Sequence, residues 1–198
     1  MNERDHYHHG ELRAALIARA IATIAQNGVE ALSLRALARD IGVSHAAPMR
    51  HFATRTDLLT AIAREGVEAL IGEAEACAAE PGLTGLAKLR AMTEGYVRWA
   101  RSYAVYHLIL RNQDVMRHAD EALLRALHAY AELQQRTIAQ AQSEGWRSND
   151  PPHLLWLQVI GFTAGLAVVA TDPIYQTPLH GQPSAADLDA AIAAFYAR

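Results

Sequence analysis

The stretch SLRALARDIGVSHAAPMRHF, residues 33–52, decides how the chain is read. Leu34, Leu37, Ala38 and Ile41 recur at steps of three and four, the apolar stripe of a short amphipathic helix. Ser33 stands at the N-cap position before it, and Gly42 stops it, because glycine takes the positive φ of a tight turn without steric cost. Val43 supplies an apolar residue to lock that turn. Ser44 then caps a second short helix running to about Phe52. Ala38 is small where the two helices would cross. Two short helices, a glycine turn and a small residue at the crossing form a helix-turn-helix pattern over residues 33–52. The second helix opens with Ser44, His45, Ala46 and Ala47. These small or polar residues suit an element whose first turn meets base edges in the major groove. Alanine lets the backbone approach, and its methyl can touch that of thymine.

Working outward, Leu12, Leu16, Ile17, Ala20, Ile21 and Ile24 predict an amphipathic helix that Asn27-Gly28 ends. Downstream, Thr54 and Asp57 stand three residues apart as a capping box, opening a helix through Leu58, Leu59 and Ile62. Pro81-Gly82 breaks that run, and Thr84 caps the next helix, which carries Leu86, Leu89, Met92, Tyr96 and Trp99. Further helices are predicted over roughly 104–112, 119–143 and 152–170. A loop with three prolines follows over 172–183, then a last helix opened by Ser184 and Asp187. No strand pattern or internal repeat interrupts the series. The expected fold is all-α with about nine helices: a three-helix DNA-binding domain over 1–55 and a helical bundle over 56–198, linked through the helix that starts near residue 54.

Composition agrees. Of 198 residues, 51% are hydrophobic and 20% charged, which excludes a disordered chain and an array of membrane spans. The net charge of −3 is unevenly spread: residues 1–66 hold eight Arg against seven acids, and the remainder ten Lys/Arg against fourteen. The basic end is thus the N-terminal one, which permits a nucleic-acid partner there. Cys77 is the single cysteine, so no intrachain disulfide is possible and a reducing cytoplasm is expected. Residues 2–10 are polar and His-rich rather than a secretory signal. The apolar run 154–170 falls short of the ~20 residues a membrane span needs. It contains Gln158, Thr163 and the close-approach pair Gly161 and Gly165, and it reads as a core or subunit-interface helix, with no membrane partner.

The three segments YHHGELR (7–13), GVEALSLRALARDIGVSHAAPMRHF (28–52) and TRTDLL (54–59) closely resemble the DNA-binding region of TetR-family (tetracycline-repressor-like) regulators. The likeness covers roughly residues 7–70. YVRWARSYAVYHLILR (96–111) is similar to a recurring type of C-terminal domain in that family. The resemblance implies a repressor that binds a palindromic duplex as a homodimer, paired through C-terminal helices including 152–170 and 184–197, and released by a small-molecule effector. It implies phosphate contacts for Ser33, Arg35 and Arg55, and base-edge contacts for His45, Ala46 and Ala47. Ser44 would cap and donate to phosphate; Arg50 and His51 would lie along the recognition helix. Two positions depart from the pattern. Met49 replaces the usual aromatic, commonly Tyr, and cannot donate its hydrogen bond. Pro48 lacks the N–H of an early helical bond.

Other residues carry less. His6, His8 and His9 have no Cys or carboxylate partner at a fixed spacing, and read as a solvated arm with Arg4 rather than a metal site. Ser44, His51 and Asp57 are spaced by capping and groove contact, not as a catalytic triad. No phosphate loop, metal-ligand spacing or activated nucleophile appears, so neither an enzyme nor a cofactor is expected. Cys77 reads as an inert small residue, and Arg39 with Asp40 as a solvated surface pair. Tyr103, His107, Trp156 and Phe162 are the expected pocket-lining side chains, an assignment that an ordinary aromatic core would also satisfy. A ligand-independent DNA-binding protein and, more remotely, a small helical enzyme are the alternative readings.

Overall fold

In the computed structural model, residues 3–175 and 181–197 are described, with side chains from Glu11 onward. Their regular structure is all helical: α1 (Glu3–Asn27), α2 (Leu34–Asp40), α3 (Arg55–Ala79), α4 (Gly85–Ser102), α5 (Ala104–Leu110), α6 (Gln113–Arg117), α7 (Glu121–Ser143), α8 (Pro152–Thr171) and α9 (Ala185–Tyr196). Three short 3-10 segments, Val29–Ala31, Pro48–Arg50 and Pro173–Tyr175, join them. The all-α fold class is as expected, with nine α-helices and no strand among the described residues. The side chains of Arg4, His6, His8 and His9 lie outside the described residues, as does Pro178 in the proline loop. The backbone from Glu3 belongs to α1 and not to a separate arm.

Several ends follow the capping chemistry. Gly28 closes α1 at φ +79°. Thr54 and Asp57 form both halves of a capping box, with the Asp57 N–H on Thr54 Oγ1 at 3.1 Å and the Thr54 N–H on Asp57 Oδ2 at 2.8 Å. Thr84 caps α4, and Ser184 with Asp187 makes the box that opens α9. Other local expectations need correction. Ser33 sits at the N-cap of α2 but its hydroxyl makes no capping bond. The helix expected over 104–112 is present as α5 and ends at Leu110, and a further short helix, α6, follows it unforeseen, because Asn112 Oδ1 accepts from the N–H groups of Asp114 and Val115. The helix expected over 44–52 is not an α-helix. Ala47 donates to Ser44 O at 3.0 Å, and a 3-10 turn over Pro48–Arg50 comes next. Residue 48 would donate to Ser44 in an α-helix, but proline has no N–H, so the tighter i→i−3 bond takes that carbonyl.

The chain divides into two compact units. Residues Met1–Glu65 and Val105–Leu123 form the first, and residues Gly66–Ala104 and Leu124–Arg198 the second. The first is built on α1, whose Leu16, Ile17, Ala20 and Ile24 are buried together with Leu37, Ala38, Phe52, Leu58 and Ile62. Each such leucine or isoleucine contributes about 1.5–3 kcal/mol by leaving water. Arg13 reaches Glu65 at 3.0 Å with its guanidinium 5.6 Å from the Phe52 ring centre, and Arg64 reaches Asp120 at 3.3 Å. In the second unit α4 packs on α8 and α9 around Leu89, Ile138, Leu155, Val159, Ile192 and Tyr196. Thr93 shares hydrogen bonds with Tyr196 Oη at 2.7 Å and Thr163 Oγ1 at 3.3 Å, tying those three helices with buried hydroxyls. Burial pushes the Tyr196 phenol up to about 12.

Two consequences can be measured. A Cβ on Gly85 would meet the backbone of Ala141, which cannot swing aside. Gly85→Ala should therefore force α4 from α7 and cost about 1–3 kcal/mol in denaturant unfolding. Gly72→Ala, with open space around it in α3, should be neutral or stabilising. His107 is buried and held down to about 4, first by desolvation and then by the Arg111 guanidinium. Its neutral ring favours the native state fully above pH ~6.5, the unfolded value. That contribution is lost as pH falls towards 4, because the unfolded chain takes up the proton first. The wild type should lose melting temperature across this window, and His107→Leu should lose less.

Candidate nucleic-acid interface

The end of α2 is a Schellman closure. Gly42, at φ +75°, donates to Arg39 O at 3.2 Å, and Val43 donates to Ala38 O at 2.9 Å. The chain is thereby reversed at one residue, and Ser44, His45 and Ala46 leave the turn exposed. The 3-10 turn then inserts Pro48, which is buried, while Phe52, four residues on, is 3% exposed in the core of the same unit. Met49, 62% exposed, and Arg50 point the other way. His51 donates its backbone N–H to Pro48 O at 2.9 Å and is half-buried, and Ala47 is half-buried as well. One side of the segment is thus an anchor of two apolar rings, and the other is a polar, small-residue surface.

On α2, Ser33 and Arg35 are exposed, and no ion pair engages Arg35 among the described residues. Asp40 is not held mainly by Arg39, which stays 3.9 Å away; both Nε and Nη2 of Arg19 grip its Oδ2, at 3.0 and 2.7 Å. The expected surface pair is therefore a link from α1 to α2. Arg55, expected at a phosphate, donates from Nη2 to the Val29 carbonyl at 2.6 Å and lies 3.4 Å from Glu30 Oε2. It braces the first turn after α1 against the start of α3, with Nη1 left over. Neither tie is visible in local spacing, because each partner lies more than twenty residues away.

The expected pocket residues have different settings. Tyr103, 46% exposed, follows α4; Trp156 donates its indole N–H to buried Gln134 at 3.4 Å; Phe162 stacks on Phe195 with ring centres 4.0 Å apart. His107 belongs to the first unit. No group of three or more His, Cys, Asp or Glu suited to a metal occurs among the described residues.

An outward-facing segment after a glycine turn, set on α1 and α2, is the arrangement of a helix-turn-helix. The model of the bacterial regulatory proteins of the tetR family matches residues 16–62. Across the whole chain, a protein of unknown function from Rhodococcus sp. RHA1 is 32% identical, with 96% of each chain covered and a TM-score of 0.80. A transcriptional regulator of the TetR/AcrR family from Thermobifida fusca YX-ER1 is 21% identical over 94% of this chain and 96% of that one, with a TM-score of 0.73. A tetR-family regulatory protein from Rhodococcus RHA1 is 19% identical over 91% and 94%, with a TM-score of 0.70. None of the curated proteins compared with the chain matches it. The chain belongs to the tetR family of bacterial transcriptional regulators.

The turn is open to a direct test. Nothing lies within 4 Å of a Cβ at Gly42, so the cost of a side chain there is its backbone conformation alone. Gly42→Ala should lose about 1–2 kcal/mol of stability, and Gly42→Asn less, since asparagine visits the left-handed region more readily. Equal loss from both in urea unfolding would show that φ is not the limiting factor.

Proposed function

We propose that the chain is a ligand-responsive transcriptional repressor that binds a palindromic operator as a homodimer. The observation that carries this reading is the exposed run of Ser44, His45, Ala46, Met49 and Arg50, presented by the Schellman turn and anchored from behind by Pro48 and Phe52. His45, Ala46 and Ala47 meet base edges, and Met49 gives apolar contact to a sugar or thymine methyl in place of an aromatic hydroxyl. Ser33, Arg35, Ser44, Arg50, His51 and the remaining Nη1 of Arg55 hold phosphates.

The dimer reading is supported by α8. Its twenty residues have a mean hydropathy of 1.9 over the most apolar window, yet Leu154 and Leu157 are 45% and 53% exposed. Gly161, Ala164 and Gly165 continue the exposed stripe along the same helix. A second copy of α8, with α9 alongside, covers such a face, and a dimer offers one recognition segment to each of two half-sites about 34–36 Å apart. An effector that prefers a different spacing lowers operator affinity by its differential binding energy. Of the expected pocket residues, Phe162 borders a cavity of about 490 Å³ together with Arg147, Gln158 and Phe195, which supports it as a ligand-facing side chain. Such a regulator works in the cytoplasm, where Cys77 persists as a thiol.

Purified protein should run as a dimer and shift DNA from upstream of its own gene. His45→Ala should change which sequences are selected from random duplexes. Arg35→Ala should weaken all of them alike and lower the salt slope by about one. Arg35 is the better phosphate probe than Arg55, whose removal also frees the Val29 carbonyl. A monomer that treats the upstream DNA like random duplex at moderate salt would overturn the reading.

A further inference from the structure

The second unit holds a cleft of about 820 Å³ between α4, the end of α8 and the start of α9. Its walls are two facing helical stripes: positions 90, 94, 97, 98 and 101 on α4, and 185, 188, 189 and 192 on α9. The floor is apolar, because Val97, Leu188, Ile192 and Ala170 are all buried there. The lip is cationic. Arg90 is answered by Glu94 at 2.8 Å, but Arg98 and Arg101 are exposed, stand one helical turn apart and enter no ion pair among the described residues. Glu73 reaches towards Arg98 over Gly95 without closing to ion-pair distance, and Asp189 is the one further acid lining the cleft among the described residues. Two like charges at this spacing repel each other, and an anion held between them relieves that repulsion.

We propose that this cleft binds an amphipathic organic anion, its carboxylate or phosphate head on Arg98 and Arg101 and its apolar body along Val97, Leu188 and Ile192. The volume lies in the range of small-molecule sites, and the cleft sets a strongly charged lip over its apolar floor, a division suited to a ligand with a charged head and an apolar body. As a binding site the cleft stands on its own residues. As the class of effector it rests on the reading of the chain as a ligand-responsive regulator.

The test is calorimetric titration of the full-length protein, without DNA, using octanoate, octyl phosphate, octylamine and acetate. Octanoate or octyl phosphate should bind once per chain, the tighter of the two identifying the head group, while octylamine and acetate should not. Arg98→Gln/Arg101→Gln should weaken binding at least tenfold with an unchanged circular-dichroism spectrum, and Asp189→Asn should tighten it by removing a competing charge. The double change lies on exposed side chains, and Arg98→Lys should retain most of the affinity if either single change alters folding. The proposal is overturned if neither anion binds, if octylamine binds as well as they do, or if the double variant binds as the wild type does. A protein that binds operator DNA but no amphiphile loses the cleft alone; one that binds an amphiphile but no specific DNA loses the regulator alone.

Discussion

The positive φ of Gly42 is the constraint on which the exposed surface of residues 44–50 depends. At +75° the backbone can satisfy two α2 carbonyls, those of Ala38 and Arg39, with the next two N–H groups and still turn away from the helix axis. An ordinary residue would either continue α2 or meet the left-handed penalty. Had α2 continued, Val43 and Ser44 would extend its own stripe and Pro48 would have no core to enter. The direction in which the chain leaves α2 is thus set by one residue without a side chain.

Beyond the turn the chain departs from a regular recognition helix, and the reason is local. Proline at residue 48 removes the donor that would have bonded to Ser44, and the chain adopts i→i−3 bonding until Phe52 recovers an i→i−4 bond to Pro48. A 3-10 turn rises about 2.0 Å per residue where an α-helix rises about 1.5 Å. Met49 and Arg50 are therefore spaced differently from the residues of an α-helical reader. The compensation is apolar: Pro48 and Phe52 bury their rings on one side, so the segment is anchored by packing where its backbone ladder is weakest.

Features set by short-range chemistry are legible in the residues themselves. Helix starts at Thr54, Thr84 and Ser184 follow from a side-chain oxygen aimed at an N–H three residues on, and stops at Gly28 and Gly42 follow from a single dihedral. The exposure of Ser44, His45 and Ala46 just past Gly42 is legible for the same reason. The misses are of another kind. Asn112 reads as a helix end in the sequence but begins α6, because an asparagine can close a helix or cap the next one. The resemblance offers Arg55 as a phosphate contact, but it does not show that one arm of its guanidinium is held by a carbonyl 26 residues earlier. His107 sits in a segment grouped with the N-terminal unit, and the Arg98–Arg101 cleft needs α9 opposite α4. The last three are not encoded in any short window of sequence; each depends on which distant element the chain brings alongside.

The same distinction explains α8. Length and mean hydropathy make it long and apolar enough to cross a membrane, and those two properties cannot separate a span from a subunit interface. Side-chain size does so better. The outward stripe runs from Leu154 and Leu157 to Gly161, Ala164 and Gly165, large residues at one end and nearly bare backbone at the other. Lipid tails gain little from glycine, whereas a neighbouring helix gains close backbone approach from it and side-chain packing from the leucines. Gln158 and Arg147, bonded at 2.7 Å on the exposed side of this helix, would be costly in hydrocarbon and are ordinary at the polar rim of a protein interface. A helix with that gradient fits a partner of its own kind, crossing closest where the side chains vanish.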